Sequence, residues 1–360
     1  MKKVLIGVCG LGNGHTIRQQ HVISALVARG HRIVLLATAD SIRLLDAQFS
    51  NILKIVVRTP WVYCTRRGID VARTRIRYGS DRLNWYRDLF LTFANVERCF
   101  KGVPDVVLSD YEPNSAQYAY ARGLPLFCLE QQSKFLGYTF PDIGAFSAEE
   151  EISRLRYFFP AAVKRYASSF FPLPKKCGEW NVEPIPPIVG TASGTRIRTD
   201  KVLVYLSPYG KGDARYASVI RILNGFPEYR FYVYSSVDFP VSMRRPNVIL
   251  NRISNGFQND IRDCGCIIST AGHQLISEAI QMEKPVLLLP LNTFEQHTNA
   301  RMAVAYRLGA TFRPTTRDTL RSFMTHLETY RSNIRRFKRI HWKRTWRGVL
   351  MKKLHEQADL

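Results

Sequence analysis

Long apolar runs, acidic residues and paired cysteines are what this chain has least of. No apolar run approaches the roughly 18 residues that cross a bilayer, so no membrane span is expected. The opening MKKVLIGVCGLGNG starts like a signal peptide. Gly7 and Gly10 interrupt its apolar run and no cleavage site follows, which points to a buried first strand. Seven cysteines, at positions 9, 64, 99, 128, 177, 264 and 266, show no metal-ligand spacing. Their odd number and scatter suit reduced, buried thiols in a cytoplasmic protein. There is no low-complexity tract, and 46% hydrophobic with 22% charged residues is the composition of a folded globular chain. Against 52 Lys and Arg stand only 29 Asp and Glu, a net charge of +23. Such an excess is silent about fold but draws polyanions: nucleic acid, an anionic membrane face or a polyanionic acceptor.

What is present is organised around residues 264–303. The apolar run Cys266-Ile267-Ile268, the turn Ser269-Thr270-Ala271-Gly272-His273 and the helical spacing of Leu275, Ile276, Ala279 and Ile280 predict strand, tight turn and helix. A second strand is expected at 285–289, and its exit carries Asn292, Thr293, Glu295, Gln296, His297 and Asn299. Open parallel sheets bind ligands at such exits. Gly272 lets a backbone approach closely, and the helix beyond it directs unpaired N–H groups and a positive dipole end at an anion, phosphate above all. Glu278 suits paired hydroxyls such as a ribose diol, and Glu295 with Gln296 suits a sugar ring. A nucleotide diphosphate sugar would engage them all; a βαβ unit with a merely solvated loop is the plainer reading.

The N-terminal half opens with a strand at 4–8, the run Gly10-Leu11-Gly12-Asn13-Gly14-His15, and an amphipathic helix with Ile17, Val22, Ile23, Leu26 and Val27 on one face. Gly30 ends the helix and a second strand follows at 33–36. The glycine spacing is not the dinucleotide pattern GxGxxG, and no acidic residue closes the second strand, Asp40 lying three residues on. His15 sits at the helix start in a site-facing loop, which suits the neutral imidazole that a general base requires, or else a capping role. A strand at 106–108 exits at the same sheet edge through Ser109-Asp110-Tyr111-Glu112-Pro113. Glu112 is open between orienting His15, acting as the base itself and capping the helix at 114–122, and Asp110 could cap that helix too. A strand at 126–129 ends in Glu130-Gln131-Gln132. Residues 58–100 do not repeat the βα rhythm. They mix Arg58, Arg66, Arg67, Arg73, Arg75, Arg77, Arg82 and Arg87 with Trp61, Tyr63, Tyr78, Trp85, Tyr86 and Phe90. Arginine forks bind phosphate and aromatics stack on bases or sit at lipid interfaces, so acceptor recognition is placed here, on Arg66, Arg67 and Trp85. A solvated basic loop over core aromatics is the alternative.

At these residues the chain resembles the GT-B glycosyltransferases, the family 28 and UDP-glycosyltransferase group. The shared pattern is Gly272, five residues, Glu278, an apolar strand ending in Pro, then Glu295-Gln296 and Asn299-Ala300. The resemblance implies that the turn and helix start hold a diphosphate, Glu278 the ribose and Glu295-Gln296 the sugar hydroxyls, with Thr270, Gly272, His273 and Asn299 completing the segment. Many such enzymes carry a phosphate-binding His two residues before the Gly; this chain has Thr270 there and His273 after it. The run Gly12-Asn13-Gly14-His15-Thr16-Ile17-Arg18 is similar to the acceptor-side loop, in which a His deprotonates the acceptor hydroxyl, and Gly14 is counted with the donor contacts. In the similar enzymes an Asp after the corresponding strand holds that His, here Asp110. The position of Asn255-Gly256-Phe257 packs on the nucleotide base.

The expected class is therefore α/β: two Rossmann-like domains facing across a cleft, with a C-terminal helix crossing back. A proline-rich connection at 186–200 separates residues 1–185, which bind acceptor, from 201–320, which bind donor; 321–360 form a basic helical tail whose apolar stripe includes Trp342, Trp346 and Leu350. The exit loop of the second domain's first strand adds Ser207 and the backbone near Gly210. The implied activity is an inverting, metal-independent transfer from a UDP-sugar to a hydroxyl acceptor. No cofactor beyond the donor is expected. The charge suggests an anionic acceptor, such as a membrane glycolipid or envelope polymer, and an inner-face location. Transfer to a modified nucleic-acid base and epimerisation of UDP-N-acetylglucosamine on the same fold are the alternatives.

Overall fold

Strands of three to nine residues alternate with helices along most of the chain and pair as two parallel sheets. The computed structural model describes all residues except 79–80, 178–179, 192–196, 208–213, 236–238, 240–244 and 252–255, and no side chains at 75–84. Two units result: residues 1–188 with 344–360, and residues 189–343.

The first unit contains β1 (Lys3–Val8), β2 (Arg32–Ala37), β3 (Leu53–Val56), the short hairpin β4 (Cys64–Thr65) and β5 (Gly68–Ile69), β6 (Val106–Asp110), β7 (Leu126–Glu130), β8 (Lys164–Ser168) and β9 (Val182–Ile185). Its helices are α1 (Asn13–Val27), α2 (Ala39–Asp46), α3 (Val71–Tyr78), α4 (Asp81–Phe100), α5 (Pro113–Arg122), α6 (Lys134–Gly137) and α7 (Glu149–Phe158). The main sheet runs β3-β2-β1-β6-β7-β8-β9, parallel throughout. Both faces are covered, so β1 reads as a continuous apolar run with Val4, Leu5, Ile6 and Val8 fully buried. From β1 the chain winds outward to β2 and β3, then returns to place β6 on the other flank of β1. That reversal creates a switch point where two loops leave in opposite directions. Val8 pairs in register with Asp110, so the loop into α1 and the end of β6 emerge at one level. Gly7 permits the arrangement: a Cβ there would lie 2.0 Å from Ser115 Oγ of α5.

Residues 58–100 depart from expectation. They contain a 20-residue helix, α4, whose Leu89, Phe93, Val96 and Phe100 are buried in one cluster with Val34, Leu36, Ile55 and Val57. The aromatic spacing is thus partly that of a packed crossover helix, blurred in the sequence by the exposed apolar Phe90 and Leu91.

The second unit contains β10 (Arg198–Leu206), β11 (Arg230–Ser235), β12 (Val248–Asn251), β13 (Cys264–Ser269), β14 (Val286–Leu288) and β15 (Gly309–Thr311), with α8 (Ala214–Leu223), α9 (Gly256–Asp263), α10 (His273–Gln281), α11 (Phe294–Ala305), α12 (Arg317–Thr325) and α13 (Leu327–His341). Its sheet, β12-β11-β10-β13-β14-β15, is again parallel and has its switch point between β10 and β13. The last helix, α14 (Trp346–Ala358), belongs to the first unit: Trp346, Leu350, Met351 and Leu354 are buried against Val22, Ile23 and Leu26. Arg29 donates to the carbonyls of Met351 and Leu360, and Tyr166 to Gln357. The basic stretch 321–360 is therefore shared, α12 and α13 packing in the second unit and α14 in the first. Among the described residues no helix is long and apolar enough to cross a membrane.

Candidate functional site

Each unit brings several of its predicted site residues to its own switch point. In the first, Gly12 holds φ at 88°, a left-handed value that favours glycine, and turns the chain into α1. His15, Arg18 and Gln19 then share one face of the helix by their three- and four-residue spacing. All three reach Asp110. His15 Nδ1 lies 2.6 Å from Oδ1; Arg18 donates from Nη2 to Oδ1 at 2.6 Å and from Nε to Oδ2 at 2.9 Å; Gln19 Nε2 donates to Oδ2 at 2.8 Å. Four contacts fill the four acceptor positions of a carboxylate. Burial by itself would raise the Asp110 pKa, but Arg18 and His15 together hold it below the ordinary value. An ionised carboxylate only accepts, so the proton between Nδ1 and Oδ1 belongs to His15, whose Nδ1 also lies 2.9 Å from Arg18 Nη2. Arg18 and Gln19 were not assigned roles by sequence reasoning. Arg18 does close the GxGHxxR run, and the spacing of the three residues was the available signal.

Glu112 caps α5, accepting from the backbone N–H of Asn114 and Ser115. Burial pushes its pKa up against those bonds. It forms no hydrogen bond with His15, so of its three readings the geometry displays the cap. Gly14 lies in the first turn of α1. Arg66 donates to the carbonyls of Gly144 and Ala145, Arg67 is exposed, and Trp85 packs against the core while its indole donates to Asn114 at 2.7 Å. The side chains of Arg75, Arg77, Tyr78 and Arg82 lie outside the described residues.

In the second unit β13 ends at Ser269, and Thr270-Ala271-Gly272 turns the chain into α10. Two side chains of α11 fix this turn. Gln296 Oε1 accepts from the N–H of Ala271 at 3.1 Å and of Leu291 at 2.9 Å, while Asn299 Nδ2 donates to the Ala271 carbonyl at 3.0 Å. Ala271 is thus clasped at both its N–H and its C=O. Glu295 also lies on α11, with Asn299 Nδ2 3.4 Å from its Oε1. Thr293 caps that helix by accepting from the Gln296 N–H. Gly272 is the N-cap of α10, leaving the first N–H groups of that helix directed at the turn. His273 is the first helical residue and is buried, as is Thr270. Glu278, 6% exposed, accepts from Gln274 Nε2 at 3.0 Å, and burial raises its pKa from 4.5 to about 7. Ser207 follows β10, its carbonyl accepting from Tyr216. Phe257 is buried in T-shaped contact with Tyr205 and Tyr234. The 208–213 loop, with Gly210 and Lys211, and Asn255 lie outside the described residues.

Among curated protein sequences none matches the chain. Solved structures with the same fold do. Phytolacca americana UGT2 superposes with a TM-score of 0.66 at 14% identity over 99% of both chains. The spinosyn forosaminyltransferase SpnP gives 0.65 at 15% over 99% of this chain and 100% of its own, and the calicheamicin glycosyltransferase CalG4 gives 0.62 at 17% over 94% and 93%. The two Rossmann-like halves are those of a GT-B structure. Residues 2–328 match the model of glycosyl transferase family 1, nine-tenths of the sequence, and the chain belongs to that family.

Proposed function

We propose that the protein is an inverting transferase that moves a sugar from a UDP-sugar to a hydroxyl acceptor. The observation that carries this reading is the saturated Asp110: it engages His15 through Nδ1 and assigns Nε2 as the atom that accepts the proton of an attacking hydroxyl. A single displacement at the anomeric carbon breaks its bond to the diphosphate and inverts its configuration.

The donor belongs to the second unit. The N–H groups at the start of α10, with Gly272, Thr270 and His273 around them, stabilise the departing diphosphate, a task the helix dipole performs without a metal. Glu278 accepts from the ribose diol, and Ser207 and Phe257 flank the nucleotide. Glu295 and the amide of Gln296 serve the sugar hydroxyls. That the Phytolacca americana structure holds UDP-2-fluoroglucose and pterostilbene supports a UDP-sugar as donor. The excess of basic residues supports an anionic acceptor, to which Arg66 and Arg67, both exposed, are assigned.

UDP release from a panel of UDP-sugars tests the assignment. His15→Ala is expected to lower turnover by roughly 100- to 10,000-fold while UDP still binds, and Glu278→Ala to weaken UDP binding itself. Chelation by EDTA should leave the wild-type rate unchanged. Wild-type turnover by both variants would refute the reading.

A further inference from the structure

One residue at the first switch point is held in a conformation its side chain disfavours. Tyr111 follows Asp110 directly and has φ of 54°, in the left-handed region that bulky aromatic residues avoid. Such outliers persist only where the surroundings over-determine them, and they gather at functional sites.

The surroundings are specific. The Tyr111 phenol donates to Glu151 Oε2 at 2.9 Å, and Glu151 is paired with Arg154 at 2.7 Å. Arg154 in turn donates to the Val62 carbonyl and lies over Trp61. Burial, reinforced by Glu151, holds the phenol far above its usual pKa, so it stays a donor. Behind the turn, Ser109 Oγ donates to the Glu112 carbonyl and accepts the Glu112 N–H, and Ser115 Oγ donates to the same carbonyl. The constraint delivers the phenol ring parallel to the His15 imidazole, planes 13° apart and centroids 6.2 Å apart, an offset stack. Phe159 continues the column on Tyr111 at 5.5 Å and 25°.

We propose that Tyr111 is a positioning residue for His15, and that its unfavourable backbone conformation persists because it sets an aromatic wall against the imidazole face. Asp110 fixes the Nδ1 edge of the ring; the Tyr111 ring limits tilting out of that plane, so Nε2 keeps one direction. The inference rests on the reading of His15 as the base.

Selective ¹⁵N-histidine labelling reads the effect without any substrate, and His15→Ala assigns the resonance among the eight histidines. Wild type should show one sharp set of His15 ring signals with Nδ1 protonated. In Tyr111→Leu those signals should broaden or double while the other histidines are unmoved, and kcat for UDP release should fall roughly 10- to 100-fold at unchanged donor KM. Tyr111→Phe, which keeps the ring, should stay within about threefold of wild type, since a group acting through geometry tolerates loss of one hydrogen bond. A folded Tyr111→Leu protein with wild-type His15 signals would overturn the inference. If that variant does not fold, Phe159→Leu replaces it: disturbed His15 signals support the inference and unchanged ones overturn it. Undiminished turnover by His15→Ala would instead remove the base reading and leave the ring contact as packing.

Discussion

Two buried carboxylates, one in each unit, differ in a way that explains what each site is built for. Asp110 and Glu278 are both less than a tenth exposed, and both serve a switch point of a parallel sheet. Asp110 meets a guanidinium and an imidazole, and its pKa is held down. Glu278 has Gln274 as its hydrogen-bond donor and no ion pair among the described residues, and its pKa rises to about 7. Burial acts in the same sense on both, so the partner decides the charge. The first unit holds a permanent anion that orients an imidazole. The second holds an acid that titrates near pH 7, with a turn secured by amide side chains and a positive helix end free to meet a ligand's charge.

The largest expected effect comes from making the first site resemble the second. Asp110→Asn removes the anion, frees His15 to adopt the wrong tautomer and strands Arg18, which is 2% exposed, without its carboxylate. Turnover should fall by roughly 1,000- to 10,000-fold, the scale seen when an orienting Asp becomes Asn beside a catalytic His. Loss of one partner from a buried ion pair should also cost about 3–5 kcal/mol of stability. UDP release and urea denaturation check the two effects. A stable, active Asp110→Asn protein would mean that Gln19 and Arg18 hold the helix without the charge.

The pH dependence of stability should have opposite sign at the two carboxylates. The folded-state pKa of Asp110 is depressed, so its contribution is present above the unfolded value of 3.8 and lost as pH falls through the folded one. The folded-state pKa of Glu278 is raised, so its contribution is complete below 4.5 and lost as pH rises through about 7. At about 1.4 kcal/mol per pH unit, that loss is at most about 3 kcal/mol. Denaturation between pH 4.5 and 8 should therefore show wild type losing stability relative to Glu278→Gln, which does not titrate. Parallel curves would mean that Glu278 is ionised in the folded protein throughout.

How much of this was legible beforehand depends on how local the determining contacts are. The strand, turn and helix from Cys264 to Gln281 were readable because an apolar run, a glycine and a helical spacing lie within 18 residues. The crossover helix α4 was not, since its buried Leu89, Phe93, Val96 and Phe100 are interleaved with exposed Phe90, Leu91 and Arg98 and its partners are on β2 and β3. Asp110 and His15 were paired beforehand by likeness to a family. That Arg18 and Gln19 complete the shell depends on contacts across 92 and 91 residues, beyond the reach of any local pattern. The clasp on Ala271 is similar: Gln296 and Asn299 were noticed as polar residues at a strand exit, but nothing local shows that their amides grip a turn 25 and 28 residues earlier.

That clasp sets the smallest and most discriminating test. Gln296→Ala leaves the N–H groups of Ala271 and Leu291 without their acceptor, which should cost about 1–2 kcal/mol and loosen the turn at the start of α10. If the side chain acts only as a pin, calorimetric affinities for UDP and for a UDP-sugar should fall together, by roughly tenfold. If its amide also touches the sugar, the UDP-sugar should lose more than UDP does. Glu295→Ala is the control, since its contact with Asn299 is long and Ala271 is held without it. It should leave UDP affinity unchanged and weaken only the sugar-bearing ligand. Equal weakening of both ligands by Glu295→Ala would show that α11 acts on the donor solely through the shape of the turn.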